Sequence, residues 1–166
     1  AEDRQAALVR LFVEPARRRP ERRFVIGGAQ YPQDFPWTPN IWFTRHMPPP
    51  EHPAFFSSSR LTLNVTRRAM AELGWCPSGR LFEAAACGCP VLSDAWDGLE
   101  AFFVPGEEIL VASDTEQALT AMDMDDAALR RIAGRARDRA LSEHGGARRA
   151  ADLVAALQRA AQGVEA

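Results

Sequence analysis

WCPSGRLFEAAACGCPVLSDAWDGLEAFFVPGEEIL, residues 75–110, is the stretch that decides the fold. Pro77-Ser78-Gly79 stands before an apolar-periodic run, so the spacing predicts a helix over 80–86, stopped by Gly88. The unbonded N–H groups and positive dipole end of such a helix converge on one spot, an arrangement suited to a diphosphate. Ser78 adds a hydroxyl donor there and Arg80 a cation. Glu83, one turn in, has the reach to accept hydrogen bonds from a ribose diol. Ala84-Ala85-Ala86-Cys87-Gly88 is a stripe of small side chains that lets helix, strand and ligand approach closely. The same residues have a plainer reading, with Ser78-Gly79 as a cap and Glu83 complementing the dipole.

Outward from this stretch, short apolar runs alternate with helical periods, the pattern of a parallel sheet covered by helices. Ala7, Leu8, Leu11 and Phe12 keep helical spacing over 5–14, with Pro15 as the expected stop. Residues 23–27 read as a buried strand entering a Gly27-Gly28 turn, 29–38 as a loop, 41–44 as a second strand and 60–65 as a third. Short helices are expected at 53–58 and 67–72, the latter broken at Gly74. Residues 90–93 and 108–111 are the fourth and fifth strands, with a helix at 99–103 between them. Asp114 or Thr115 caps a helix through Met122, and Asp125-Asp126 one through Leu141. A last helix at 147–161 has Ala150, Leu153, Val154 and Leu157 as a face to bury.

The expected architecture is one domain over 1–166, a three-layer α/β/α sandwich with a Rossmann-like, mostly parallel sheet of about five or six strands. Its first element is a helix, whereas a doubly wound nucleotide-binding unit begins with a central strand. Either the fold departs from that rule or a leading strand precedes this helix; Glu2-Asp3-Arg4 reads as the tail of a strand-to-helix turn, so the strand is the expectation.

A length of 166 residues suits one core and not two. The 46% hydrophobic and 25% charged content is that of an ordinary globular protein, and a net charge of -2 gives no reason to expect nucleic acid. The arginine clusters at Arg17-Arg18-Arg19, at Arg22-Arg23 and over 130–149 read as solvated helix faces and loops. No apolar run approaches the roughly 20 residues that span a bilayer, and no signal peptide is visible. The three cysteines, an odd number, argue against a disulfide framework and suit a reducing cytoplasm. Cys87 and Cys89 read as packing. His46, His52 and His144 stand at no ligand-like spacing, so no metal site is expected.

Arg80–Pro90 (RLFEAAACGCP), continuing into Val91-Leu92-Ser93-Asp94, resembles the signature of retaining glycosyltransferases of GT-B fold, the glycosyltransferase family 4-like enzymes. More closely, residues 61–67 (LTLNVTR), 77–86, 96–100 (WDGLE) and 103–109 (FVPGEEI), and His144 with Arg148-Arg149-Ala150, resemble the bacterial CgeB-like glycosyltransferases. The resemblance covers nearly the whole chain. It implies the donor-binding, C-terminal half of a two-domain enzyme of hexosyltransferase type. Such an enzyme transfers a sugar from a nucleoside diphosphate sugar to an acceptor, and its partner here is an N-terminal acceptor-binding domain. The donor is a substrate, and neither cofactor nor metal is implied. Glu83 matches the ribose-binding Glu, and Ser78, Gly79 and Arg80 match the diphosphate loop. One position departs: eight residues before Glu83, where many relatives of the broader family carry a Glu associated with the donor sugar, stands Trp75.

Further contacts are expected at strand ends, where open α/β sheets meet ligands. Asn64 and Thr66 end the third strand, with turn capping as their alternative, and Arg67, Arg80 and Arg45 are candidates to stabilise the diphosphate. Asp94, Trp96, Asp97 and Gly98 follow the fourth strand, and His46 lies near the end of the second. Trp37, Trp42 and Trp96 read as stacking platforms or as core. Phe102-Phe103 and the Pro-rich loop at 47–53 read as apolar surface for the second domain to cover. Two other functions are weighed: a non-catalytic nucleotide-binding module, in which Trp75 marks lost catalysis, and a dinucleotide-dependent oxidoreductase domain. The latter is the weakest, since Gly27-Gly28-Ala29 breaks the G-x-G-x-x-G spacing.

Overall fold

The short apolar runs become strands, all paired in parallel, in a computed structural model that describes residues 4–28, 31 and 34–164. The turn expected at Glu2-Asp3 and part of the first loop lie outside the described residues. β1 (Phe24–Gly27) pairs with β2 (Ile41–Thr44), Phe24 opposite Ile41. β3 (Thr62–Asn64), β4 (Val91–Ser93) and β5 (Leu110–Val111) form a second sheet in that order, Thr62 opposite Val91 and Leu92 opposite Leu110. The single sheet expected from the sequence is therefore divided, and among the described residues no ladder joins β1 to β3.

Helices cover both faces, and the pleat of β4 explains how. Leu92 points into a core with Leu11, Phe12 and Val13 of the N-terminal helix and with Ala118, Ala121 and Met122. Its neighbour Val91 points into another, with Leu81, Ala84, Ala85, Ala136 and Ala140. Successive side chains of a strand face opposite ways, so one buried strand serves two cores and the layers are helix, sheet, helix. Phe24, Ile26 and Ile41 of the two-stranded sheet enter the first core beside Leu110 of the other. The two sheets are separate ladders on one hydrophobic mass.

Capping sets most helix boundaries. α6 (Thr115–Asp123) starts where the Asp114 carboxylate accepts from Gln117 N–H at 2.8 Å, and α7 (Asp126–Glu143) where Asp125 accepts from Ala128 N–H at 2.7 Å. α3 (His52–Ser57) follows a 3-10 turn at Pro49–Glu51, and α4 (Arg68–Leu73) ends at Gly74, whose φ of 69° suits glycine. α5 (Gly79–Ala86) runs along α7, and small residues on both helices let them approach closely. The helix expected at 99–103 is only a 3-10 turn, Leu99–Ala101.

Three further expectations need correction. Pro15 does not stop the first helix: α1 (Gln5–Leu8) passes through a π-helical turn, Val9–Val13, into α2 (Glu14–Arg18). In that wider turn Glu14 N–H donates to Val9 O, five residues back, which displaces the carbonyls a proline ring would otherwise strike. The apolar face of α8 (Gly146–Val164) is not buried, Leu153 and Leu157 each being 61% exposed. Phe103 is core, at 1% exposure, and Phe102 is half-buried against Phe82, Trp96 and His144. Cys89 is buried as expected for packing, and burial pushes its thiol up to about 12.

Candidate functional site

The start of α5 is built by Ser78, whose extended backbone makes it the N-cap. Its hydroxyl oxygen accepts from Arg80 N–H at 3.3 Å and its carbonyl from Leu81 N–H at 3.1 Å. The cap thus occupies two first-turn amides, while Gly79 N–H has no partner among the described residues. Both sequence readings of Ser78 meet here: it is a cap, and it stands at an amide still open to an acceptor.

The loop leading to this cap is pinned. Trp75 donates its N–H to the Asp97 carbonyl at 2.7 Å, and its ring lies over Gly98, where a Cβ would stand 2.5 Å from Cδ2. Among the described residues Trp75 is the one non-glycine with positive φ, 53°. Such a conformation costs about 1–2 kcal/mol for a bulky L-residue, and the hydrogen bond and the glycine-floored contact offset it. The indole remains 65% exposed, beside the start of α5.

Glu83 projects from the first turn and a half of α5 with its carboxylate about half exposed, and it faces α3. There Oε2 lies 3.4 Å from Nδ1 of His52. In the sequence His52 stands at no ligand-like spacing, and no local pattern places residue 52 beside residue 83. Arg80, Arg67 and Arg45 are exposed and form no ion pair among the described residues. Burial pushes the phenol of Tyr31, in the loop after β1, up, and the charges of Arg4 and Arg80 oppose that shift.

Asn64 and Thr66 are buried, Asn64 completely. Thr66 donates its N–H to Asp94 at 3.0 Å and its hydroxyl at 2.9 Å, and the Ser93 hydroxyl reaches the same carboxylate at 3.4 Å. Both hydroxyls have then given their only proton, so toward Asn64 they accept. This assigns the Asn64 NH2 to them, at 3.4 and 3.2 Å, and turns Oδ1 away, buried and without a partner among the described residues. The network ties the ends of β3 and β4 together, the capping alternative for these two residues, and it leaves one acceptor open.

The remaining candidates separate by burial. Trp96 is core, whereas Trp37 and Trp42 are on the surface, Trp37 against Phe35 and Phe43 and Trp42 under the guanidinium of Arg23. His46 and Asp97 are exposed. A cavity of about 160 Å³ lies against α7, lined in part by Gly106, Glu107, Arg131 and Arg135, and shares no lining residue with the rim around α5. That rim is an open wall, and its chemistry rather than its concavity marks it. Among the described residues no group of three or more His, Cys, Asp or Glu is arranged to hold a metal, and no helix is long and apolar enough to cross a membrane.

Among solved structures, sucrose-phosphate synthase from Thermosynechococcus elongatus is similar to 96% of this chain and 44% of its own, with a TM-score of 0.73 at 17% identity. Anabaena HepE, in complex with UDP-glucose, is similar over 78% of this chain and 48% of its own (TM-score 0.54, 14% identity). AviGT4, a glycosyltransferase of avilamycin A biosynthesis, matches 78% of this chain and 44% of its own (TM-score 0.50, 19% identity). At such identities the likeness is one of fold, that of a Rossmann-like domain of GT-B glycosyltransferases, and the chain spans less than half the length of each neighbour. No curated protein sequence matches it. The family model for glycosyl transferase-like proteins matches residues 4–155, so the chain belongs to the glycosyl transferase-like family.

Proposed function

We propose that this chain is the donor-binding half of a cytoplasmic glycosyltransferase of CgeB-like, family 4-like type, which transfers a hexose from a nucleoside diphosphate sugar to an acceptor held by an N-terminal domain. The observation that carries the reading is the rim around the start of α5. It brings together an open amide at Gly79, the unpaired Arg80 and the exposed Glu83, at the strand ends where α/β sheets meet ligands. Glu83 accepts from the ribose, while Ser78, Gly79 and Arg80 hold the diphosphate, assisted by Arg67 and Arg45. Catalysis then rests on positioning and on these amides and cations stabilising the departing diphosphate, without a metal or cofactor. The UDP-glucose in HepE, a neighbour of the same fold, supports a nucleotide sugar as the ligand class.

One wall is not a closed site, so the chain alone is expected to show no turnover. One further parallel strand entering between β1 and β3 would complete the sheet. Phe24 and Gly28 N–H bond toward β2, and Thr62 N–H toward β4. The intervening N–H groups, of Val25 and Leu63, consequently face the open edges. Both sheets are parallel and share one core, so a single strand would join them.

Calorimetric titration of the full-length protein with UDP-, GDP- and dTDP-sugars, beside Glu83→Ala, tests the reading. One nucleotide class binds, and the variant binds about ten-fold or more weakly, since a charged hydrogen-bond acceptor is worth roughly 1.5–3 kcal/mol. Binding by no member of the panel defeats the assignment. Trp75, at positive φ and exposed where many members of the broader family that the sequence resembles carry a Glu, favours a second reading, a nucleotide-binding module without catalysis; product formation by the full-length protein excludes it.

A further inference from the structure

The imidazole of His52 stands between two oxygens. Nε2 lies 3.1 Å from the Met47 carbonyl and Nδ1 3.4 Å from Oε2 of Glu83. A carbonyl oxygen only accepts, so Nε2 carries a proton. In the neutral ring Nδ1 is then a bare acceptor facing a carboxylate, which is repulsive. In the imidazolium both nitrogens donate and both contacts attract. The ring is otherwise held by its place at the start of α3 and by Phe56, whose ring it meets edge-on at 6.2 Å. The ionisable side chains on the elements around it are Arg80 and Glu83 on α5 and Glu51 on the preceding turn; Glu83 is the one at ion-pair distance among the described residues.

The other oxygen of Glu83 completes the geometry. A Cβ built on Gly79 would stand 3.9 Å from Oε1, so that oxygen turns back over the start of α5, where the diphosphate is placed above. One oxygen is tethered to α3 and the other is presented to the rim.

We infer that His52 is a positioning residue for Glu83: as the imidazolium it holds Oε2 and leaves Oε1 to the ribose hydroxyls. This rests on the donor-site reading and adds a residue to it.

Calorimetry on the full-length protein tests it, with whichever of UDP-, GDP- and dTDP-glucose binds best. His52→Ala binds several-fold more weakly than the wild type. His52→Asn, whose amide nitrogen occupies the Nδ1 position and donates, regains the affinity. A His52→Ala affinity equal to that of the wild type, or a His52→Asn affinity no better than that of His52→Ala, overturns the inference while leaving the donor site standing. Failure of all three nucleotide sugars to bind defeats both.

Discussion

At the C-terminal end of α6, Arg22 and Arg60 converge on the Met122 carbonyl, at 2.6 and 2.8 Å. Arg60 also reaches Asp126, and Arg22 and Arg19 reach Asp123. On the other side, at the ends of β2 and β3 and the start of α5, Arg45, Arg67 and Arg80 are exposed without an ion pair among the described residues. The first group satisfies helix-end carbonyls and complements a dipole, which is structural work. Among the described residues the second group has no ion-pair partner to hold, and it stands where the donor is proposed to bind. Identical side chains thus divide into those the fold uses and those it leaves free, by what the backbone around them leaves unsatisfied.

The largest effect that sharpens this contrast is on binding. Arg80→Ala is expected to lower affinity for the nucleotide sugar about ten-fold, the worth of a charge-assisted hydrogen bond of roughly 1.5–3 kcal/mol, with the melting temperature unmoved. A melting temperature that drops while binding persists would put Arg80 in the structural group. Next in size, Arg60→Ala is expected to cost about 1–2 kcal/mol of stability through the uncapped end of α6, read from urea unfolding, with affinity unchanged.

A smaller effect comes with acid. The Arg19 hydrogen bond holds the Asp123 carboxyl below its ordinary value, the Arg18 hydrogen bond does the same for Glu116, and the capped Ala128 N–H does it for Asp125. Folded-state values depressed below unfolded ones contribute stability above the unfolded values, about pH 4, and lose it as pH falls through the folded ones. Urea midpoints should therefore drop below about pH 4, in Arg80→Ala as much as in the wild type. An acid profile altered by Arg80→Ala would break the contrast. Smallest of all, Arg45→Ala and Arg67→Ala should leave stability within about 0.5 kcal/mol and reduce affinity less than Arg80→Ala does.

Much of the fold was legible because local chemistry and tertiary structure agree. Asp114 and Asp125 cap the helices that their positions announce, Gly74 ends α4, and residues 41–44 form the expected strand. Pro15 was misread because a π turn is a hydrogen-bond shift with no residue signature of its own. The 108–111 run shortened to two residues because Glu108 turns back, its carboxylate accepting from Val104 N–H at 2.8 Å. In the candidate site, the grouping of Ser78, Gly79, Arg80 and Glu83 at one helix start was legible because a local cap sets it. Burial of Asn64 and Thr66 was not, because it depends on Ser93 and Asp94 from another strand. Nor was the approach of His52 to Glu83, which comes from the packing of α3 on α5.

The most direct test of the donor-site claim is amide hydrogen exchange of the full-length protein, with and without the nucleotide sugar that binds it. Slowed exchange is expected in peptides covering 74–86, at the Trp75 loop and the start of α5, and none at the cavity beside Arg131 and Arg135. Protection at that cavity with 74–86 unchanged would contradict it.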